Sequence, residues 1–166
     1  MDHASLAPHI PRLRRYARAL VGDRYAADDL VQDTLERAIN KFHLWRPGSD
    51  LRAWLFAIMH NVFVNQLRSR AAHPETQLDD SDLGARVAID ADRLEIRDMQ
   101  AAIARLPAEQ REVLLLVALE QLSYADVSRA LDIPVGTVMS RLFRARERLR
   151  TQLADVSPQS SLKIVK

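Results

Sequence analysis

The sequence predicts an all-α protein made of two small helical domains, on the strength of three observations. Glycine is sparse, at four in 166 residues, and aromatics make up 5%, a composition that disfavours sheet and its tight turns. Apolar residues recur three and four apart along most of the chain, which places them on one face of a helix. That period lapses between His73 and Ala91, where Pro74, Gly84 and five carboxylates fall within eighteen residues, the composition of a linker. The expected division is a domain over residues 1–72, an acidic linker over 73–91, a second domain over 92–152 and a polar tail over 153–166. Blocks of about 65–75 residues can hold a single hydrophobic core, though a marginal one.

The first domain reads as three helices. In the first, Ile10, Leu13, Ala17 and Leu20 keep helical spacing while Arg12, Arg14, Arg15 and Arg18 fall elsewhere, and Pro11 suits the opening turn. The second runs from about Tyr25 to Phe42, with Asp28 and Asp29 placed early, where they complement the helix dipole. Ala27, Leu30, Val31, Thr34, Leu35, Ala38, Ile39 and Phe42 fill one half of it, a broad face for burial, and Asp29, Gln32, Asp33 and Glu36 share the other. A loop containing Pro47 and Gly48 leads to Asp50, a candidate N-cap for the third helix. There Leu51, Leu55, Ile58, Met59 and Val62 form the core stripe, and Trp54, Asn61, Asn65 and Arg68 line one flank. Such a flank either holds an unstacked base or is an ordinary helix edge.

The second domain carries a sharper pattern. After helices over about 92–106 and 108–120, Leu122–Leu131 reads as a short amphipathic helix capped by Ser123, and Asp132–Ile133–Pro134 as a turn. From Val135 the chain is helical again, with Val135, Val138, Leu142, Ala145 and Leu149 as the expected buried stripe. Opposite them sit Thr137, Ser140, Arg141, Arg144 and Arg148. A short helix, a tight turn and a second helix with an outward Arg/Ser/Thr face is the layout of a helix-turn-helix, whose second helix enters the major groove. Arginine can chelate guanine or grip phosphate, and a small hydroxyl permits close approach. The plainer alternative is an arginine-rich helix end that complements the dipole, as Arg146, Arg148 and Arg150 do in part.

The net charge of +2 conceals a segmented pattern: +4 over residues 1–70, −5 over 71–100 and +3 over 101–166. Two basic domains on an acidic tether suggest a polyanionic partner. Other classes are disfavoured. Without cysteine there is no disulfide, Cys-zinc site, iron–sulfur cluster or thiol nucleophile. The longest apolar run, Val113–Leu119, is far short of a membrane span, and Met1–Asp2–His3 does not open a signal peptide, so the expectation is a cytoplasmic protein with no membrane insertion. The five histidines lack paired helical spacing, and Asp29, Asp33 and Glu36 on one helix offer too few converging ligands, so no metal is expected. No glycine-rich phosphate loop or nucleophile elbow is present, and neither an enzyme nor a cofactor is expected.

The strings DDLVQDTLERAI (28–39), AWLFAIMHNVFVNQLRSR (53–70) and LPAEQREVLLLVALEQLSYADVSRALDIPVGTVMSRLFRARERLR (106–150) closely resemble the extracytoplasmic-function (ECF) sigma factors of bacterial RNA polymerase. The resemblance implies a σ2 domain and a σ4 domain on a flexible linker, binding core polymerase and directing it to −10 and −35 promoter elements. It implies that Asp29, Leu30, Val31, Gln32 and Asp33 dock on the β′ clamp helices. Asn61 would capture a flipped −10 base, with Asn65 and Arg68 following it and Trp54 serving as a core anchor. On the last helix, Ser140, Arg141, Phe143 and Arg144 match recognition positions for the −35 element, flanked on the same outward face by Thr137 and Arg148. The helices before them would seat the domain on the β flap, and an anti-sigma factor would control the whole.

Two departures from the family accompany the match. Many members carry a further N-terminal helix ending in a Gly–Asp–Ala–Phe-like turn, which this chain is expected to lack, and Met139 stands where a basic residue is common. The competing reading is a stand-alone helix-turn-helix regulator, which explains residues 106–150 but leaves the Asp29–Asp33 face and the Asn61 flank without a role.

Overall fold

The computed structural model describes residues 3–72 and 91–156. The expected linker, with Asp79, Asp80 and Asp82, lies outside the described residues except for Ala91, as does the tail from residue 157. Seven α-helices and no strand are found among the described residues. They divide as expected, three before the linker and four after it.

A short 3-10 helix, His3–His9, leads into α1 (Ile10–Val21), whose first turn contains Pro11. Gly22 ends α1 at φ 78°, a backbone that a side chain would strain, and its N–H bonds the Arg18 carbonyl at 2.9 Å. Asp23 then caps α2 (Arg24–Asn40), its carboxylate accepting from the backbone N–H groups of Tyr25 at 3.4 Å and Ala26 at 3.1 Å. A helix closing on a Gly–Asp turn is therefore present as α1, contrary to the expectation that it is missing. Asp50 caps α3 (Leu51–Ala72) as expected, accepting from Arg52 N–H at 3.0 Å.

The second half comprises α4 (Ala91–Ala104), α5 (Ala108–Leu114), α6 (Tyr124–Leu131) and α7 (Val135–Val156). The helix expected over 108–120 changes winding midway. Leu115–Leu119 forms a π-turn, in which Glu120 N–H reaches back five residues to Leu115 O at 3.1 Å. It falls in the run of seven consecutive apolar residues and buries Leu115 and Leu116 directly after Leu114, the buried last residue of α5. Ser123 caps α6 through Asp126 N–H at 3.1 Å, and Asp132 closes it in the left-handed region at φ 53°.

Two positions depart from the predicted burial. Ile39 is 45% exposed and Val135 42% exposed. Both lie inside the apolar arc of their helices but at its margin.

The halves dock on each other and share one contiguous hydrophobic core. Helix α3 lies against α6, and α1 lies against α4, α5 and the π-turn. Polar groups complete the seam. His60 Nδ1 sits 2.6 Å from Glu112 Oε2, Arg15 reaches the buried Glu120 carboxylate at 3.4 Å, and Arg52 donates to Glu120 O at 3.1 Å. Arg111 joins the ends of α1 and α4, donating to Leu20 O at 2.7 Å, Ile103 O at 3.1 Å and Ala104 O at 2.8 Å, and to Leu106 O in the loop that follows at 2.7 Å. A guanidinium satisfies the orphan carbonyls of α1 and α4 and opposes their negative dipole ends.

Candidate nucleic-acid interface and docking groove

On α2, Asp29 and Gln32 are exposed, whereas Leu30 and Val31 are 0% and 4% exposed and belong to the core. Asp33 is half-buried and accepts from Gln66 Nε2 of α3 at 3.2 Å. The five residues expected to dock thus separate into two available side chains, one held across to α3 and two that shape the helix from beneath. Between α1 and α2 runs an open groove of about 760 Å³. Val31, Leu35 and Ile39 supply its apolar floor, and Arg14, Asp28, Gln32 and Glu36 its polar rim. Sequence periodicity missed this feature because it assigned Ile39 to the interior.

On α3, Asn61, Asn65 and Arg68 are all exposed, one helical turn apart. Trp54 is half-buried and meets Phe42 edge-on at 6.2 Å, which anchors it to the core. The flank therefore offers two amides and a guanidinium without an aromatic platform of its own.

On α7, Val138, Leu142 and Ala145 are at most 2% exposed, and they fix which side faces outward. Gly136, Ser140, Arg144 and Arg148 recur every four residues as one exposed ridge. A Cβ at Gly136 would meet nothing within 4 Å, so the fold does not require glycine there. Ser140 Oγ donates back to Thr137 O at 3.1 Å, leaving its lone pairs outward, and Thr137 is itself half-buried. Arg144 and Arg148 pair with no carboxylate among the described residues. Arg141 points differently: it is half-buried and lies 3.8 Å from Glu109 of α5. Phe143 is 65% exposed.

Elsewhere the site chemistry is plain. No cluster of three or more His, Cys, Asp or Glu that could hold a metal exists among the described residues, and none of the helices there is long and apolar enough to cross a membrane. Burial raises the Tyr16 hydroxyl well above its ordinary range, with Glu112 and Glu120 adding to the effect, and burial lowers Arg111. All four residues belong to the seam between the halves.

Comparison with known proteins places both halves. Residues 6–60 match the model of the Sigma2 domain of PhyR, and residues 96–149 match Sigma-70, region 4, which lies over the helix-turn-helix. The chain is 36% identical to ECF RNA polymerase sigma factor EcfG of Rhodopseudomonas palustris, over 94% of this chain and 90% of the relative. Among solved structures it resembles the sigma factor RpoE of Bartonella quintana, determined with the anti-sigma factor NepR, at a TM-score of 0.75 and 37% identity over 91% of this chain and 95% of that one. It also resembles the PhyRSL–NepR complex from Sphingomonas sp. Fr1, at a TM-score of 0.65 and 27% identity over 92% of this chain and 89% of that one. On a relative that matches along nearly the whole of both chains, with a sigma region 4 over α6 and α7, the chain belongs to the ECF RNA polymerase sigma factors.

Proposed function

We propose that this sigma factor divides its work among three surfaces. The groove between α1 and α2, with Asp29 and Gln32 beside it, takes the β′ clamp helices of core polymerase. The Asn61–Asn65–Arg68 flank of α3 holds unstacked bases of the −10 element, where amides can replace the hydrogen bonds lost on leaving the duplex. The Gly136–Ser140–Arg144–Arg148 ridge enters the major groove at the −35 element, and Arg141 steadies the helix against α5. The observation that carries this reading is the α7 ridge, which combines unpaired arginines, a small hydroxyl and a glycine that the fold itself does not require. The protein works by binding in the cytoplasm, without catalytic chemistry of its own.

Reading both elements at once requires the halves to part. Two elements about 25 base pairs apart lie about 85 Å from each other on B-DNA. A compact chain of this size has a radius of gyration of about 15 Å, hence a breadth of about 40 Å. The linker residues reach about 60 Å at full extension, enough to bridge the difference. The docked arrangement is then a resting form, and an anti-sigma factor of the NepR kind, as bound to the Bartonella quintana relative, fits as its stabiliser.

The decisive experiment mixes the full chain with bacterial core polymerase and genomic DNA fragments and maps transcript starts. Specific starts that vanish without the chain are expected. A chain that fails to bind core in a low-salt pull-down is not acting as a sigma factor. The match of residues 6–60 to the PhyR domain favours one other outcome, a sigma-like decoy that captures a NepR-type inhibitor yet starts no transcript.

A further inference from the structure

Helix α7 bears a second exposed row, and it is apolar. Val135, Met139 and Phe143 lie four residues apart, so they form one ridge directly beside the Gly136–Ser140–Arg144 ridge. They are 42%, 54% and 65% exposed, and the first turn of α7 carries no acidic residue. Adjacent ridges of a helix hold side chains about 5–6 Å apart, so whatever the arginine ridge grips also meets this one. The arginine ridge is suited to a phosphate-lined duplex. In the major groove of such a duplex the base edges offer hydrogen-bonding atoms and one apolar group, the 5-methyl of thymine. A flexible thioether and an adjoining phenyl ring match that methyl and none of the polar edges.

We infer that Met139, backed by Phe143, reads thymine methyl groups in the element that α7 engages, and so sets a preference for thymine at one or two positions beside those read by Arg144. The inference rests on the −35 reading above and adds to it the base that the apolar ridge selects.

The test uses holoenzyme made from the full chain and core polymerase. A promoter pool randomised over the −35 region first yields the preferred sequence. Each thymine in it is then replaced singly by deoxyuridine, which removes the methyl group and leaves every hydrogen-bonding atom in place. One or two replacements should weaken wild-type binding about fourfold, as expected for a buried methyl of about 0.8 kcal/mol. The same replacements should be silent in Met139→Ala and retained in Met139→Leu, with thermal melts of both variants matching wild type. Met139→Arg should lose the methyl preference while steepening the salt dependence of binding.

Deoxyuridine tolerated at every position by the wild type, or an undiminished loss in Met139→Ala, overturns the inference. So does a Met139→Ala defect confined to core or inhibitor binding, which would mark the ridge as a protein contact. If the pool yields no −35 preference and Arg144→Ala changes nothing, the −35 reading itself fails. A preference that depends on Arg144 but ignores the methyl groups sinks only the role given to Met139.

Discussion

Replacing His60 with alanine should open the molecule and make it a more responsive sigma factor. His60 on α3 and Glu112 on α5 meet across the seam at 2.6 Å, with side chains 21% and 5% exposed. With Glu112 ionised, Nδ1 is the protonated nitrogen and donates a charge-assisted bond to a carboxylate that water barely reaches. Hydrogen bonds to charged groups contribute about 1.5–3 kcal/mol. The imidazole edge is partly wet, so about 2 kcal/mol is the reasonable figure. That weakens docking about 30-fold, since about 1.4 kcal/mol is a factor of ten.

If the docked form is too short to span both elements, as proposed, a partner that requires the parted form binds with an affinity reduced by the fraction parted. His60→Ala should therefore lower the sigma concentration that half-saturates transcription, by a factor with a ceiling of about 30. Small-angle scattering should record an increased radius of gyration. A double-mutant cycle with Glu112→Ala in urea should return a coupling of about 1–2 kcal/mol. A cycle energy near zero would show that the pair does not hold the halves. Scattering that reports opening while the half-saturating concentration stays at the wild-type value would refute the link between docking and promoter engagement.

Four further outcomes follow from the same geometry. Gly136→Ala should raise stability by up to about 1 kcal/mol in urea, because the new methyl meets nothing within 4 Å, yet weaken −35 binding if the backbone approaches the duplex there. Arg111→Lys keeps the charge but cannot fork to four carbonyls, and should cost about 2–4 kcal/mol of stability in the same assay. Tyr16 has a raised hydroxyl pKa, so its contribution is complete below about pH 10 and fades at higher pH as the unfolded chain ionises first; its absorbance step at 295 nm should coincide with alkaline unfolding and be absent in Tyr16→Phe. Asn61→Ala should impair open-complex formation more than closed-complex binding, and an equal loss in both would assign Asn61 a role in folding.

What the sequence revealed and what it withheld divide along the range of the interactions. Caps act within one turn, so Pro11, Asp50 and Ser123 were legible from local spacing and stand where expected. The α7 core stripe was legible as well, since Val138, Leu142 and Ala145 recur at helical spacing, and the outward ridge follows from it by geometry. The π-turn was not, because an unbroken apolar run has no period from which a change of winding can be read. Ile39 and Val135 were assigned to the interior because periodicity gives an arc without saying how much of it a neighbour covers. The seam was least legible. Glu112 and Glu120 are 4% and 2% exposed, although the pattern of the chain alone assigns carboxylates to solvent. Their partners lie 52 to 105 residues away, and no local rule couples positions at that distance.

The seam also changes the meaning of the segmented charge. Residues 1–72 carry a net charge of +4, whereas residues 91–156 balance ten basic side chains against ten acidic ones, so a basic half docks on a neutral one. Across the seam, basic residues of the first half, Arg15 and His60, meet carboxylates of the second, Glu120 and Glu112. Arg52 adds a bond to the Glu120 carbonyl. Parting the halves would release Arg15 and Arg52 from Glu120 and free them for phosphate. A polyanion thus competes directly for the groups that hold the molecule shut, and its advantage is greatest at low salt, where phosphate contacts are strongest.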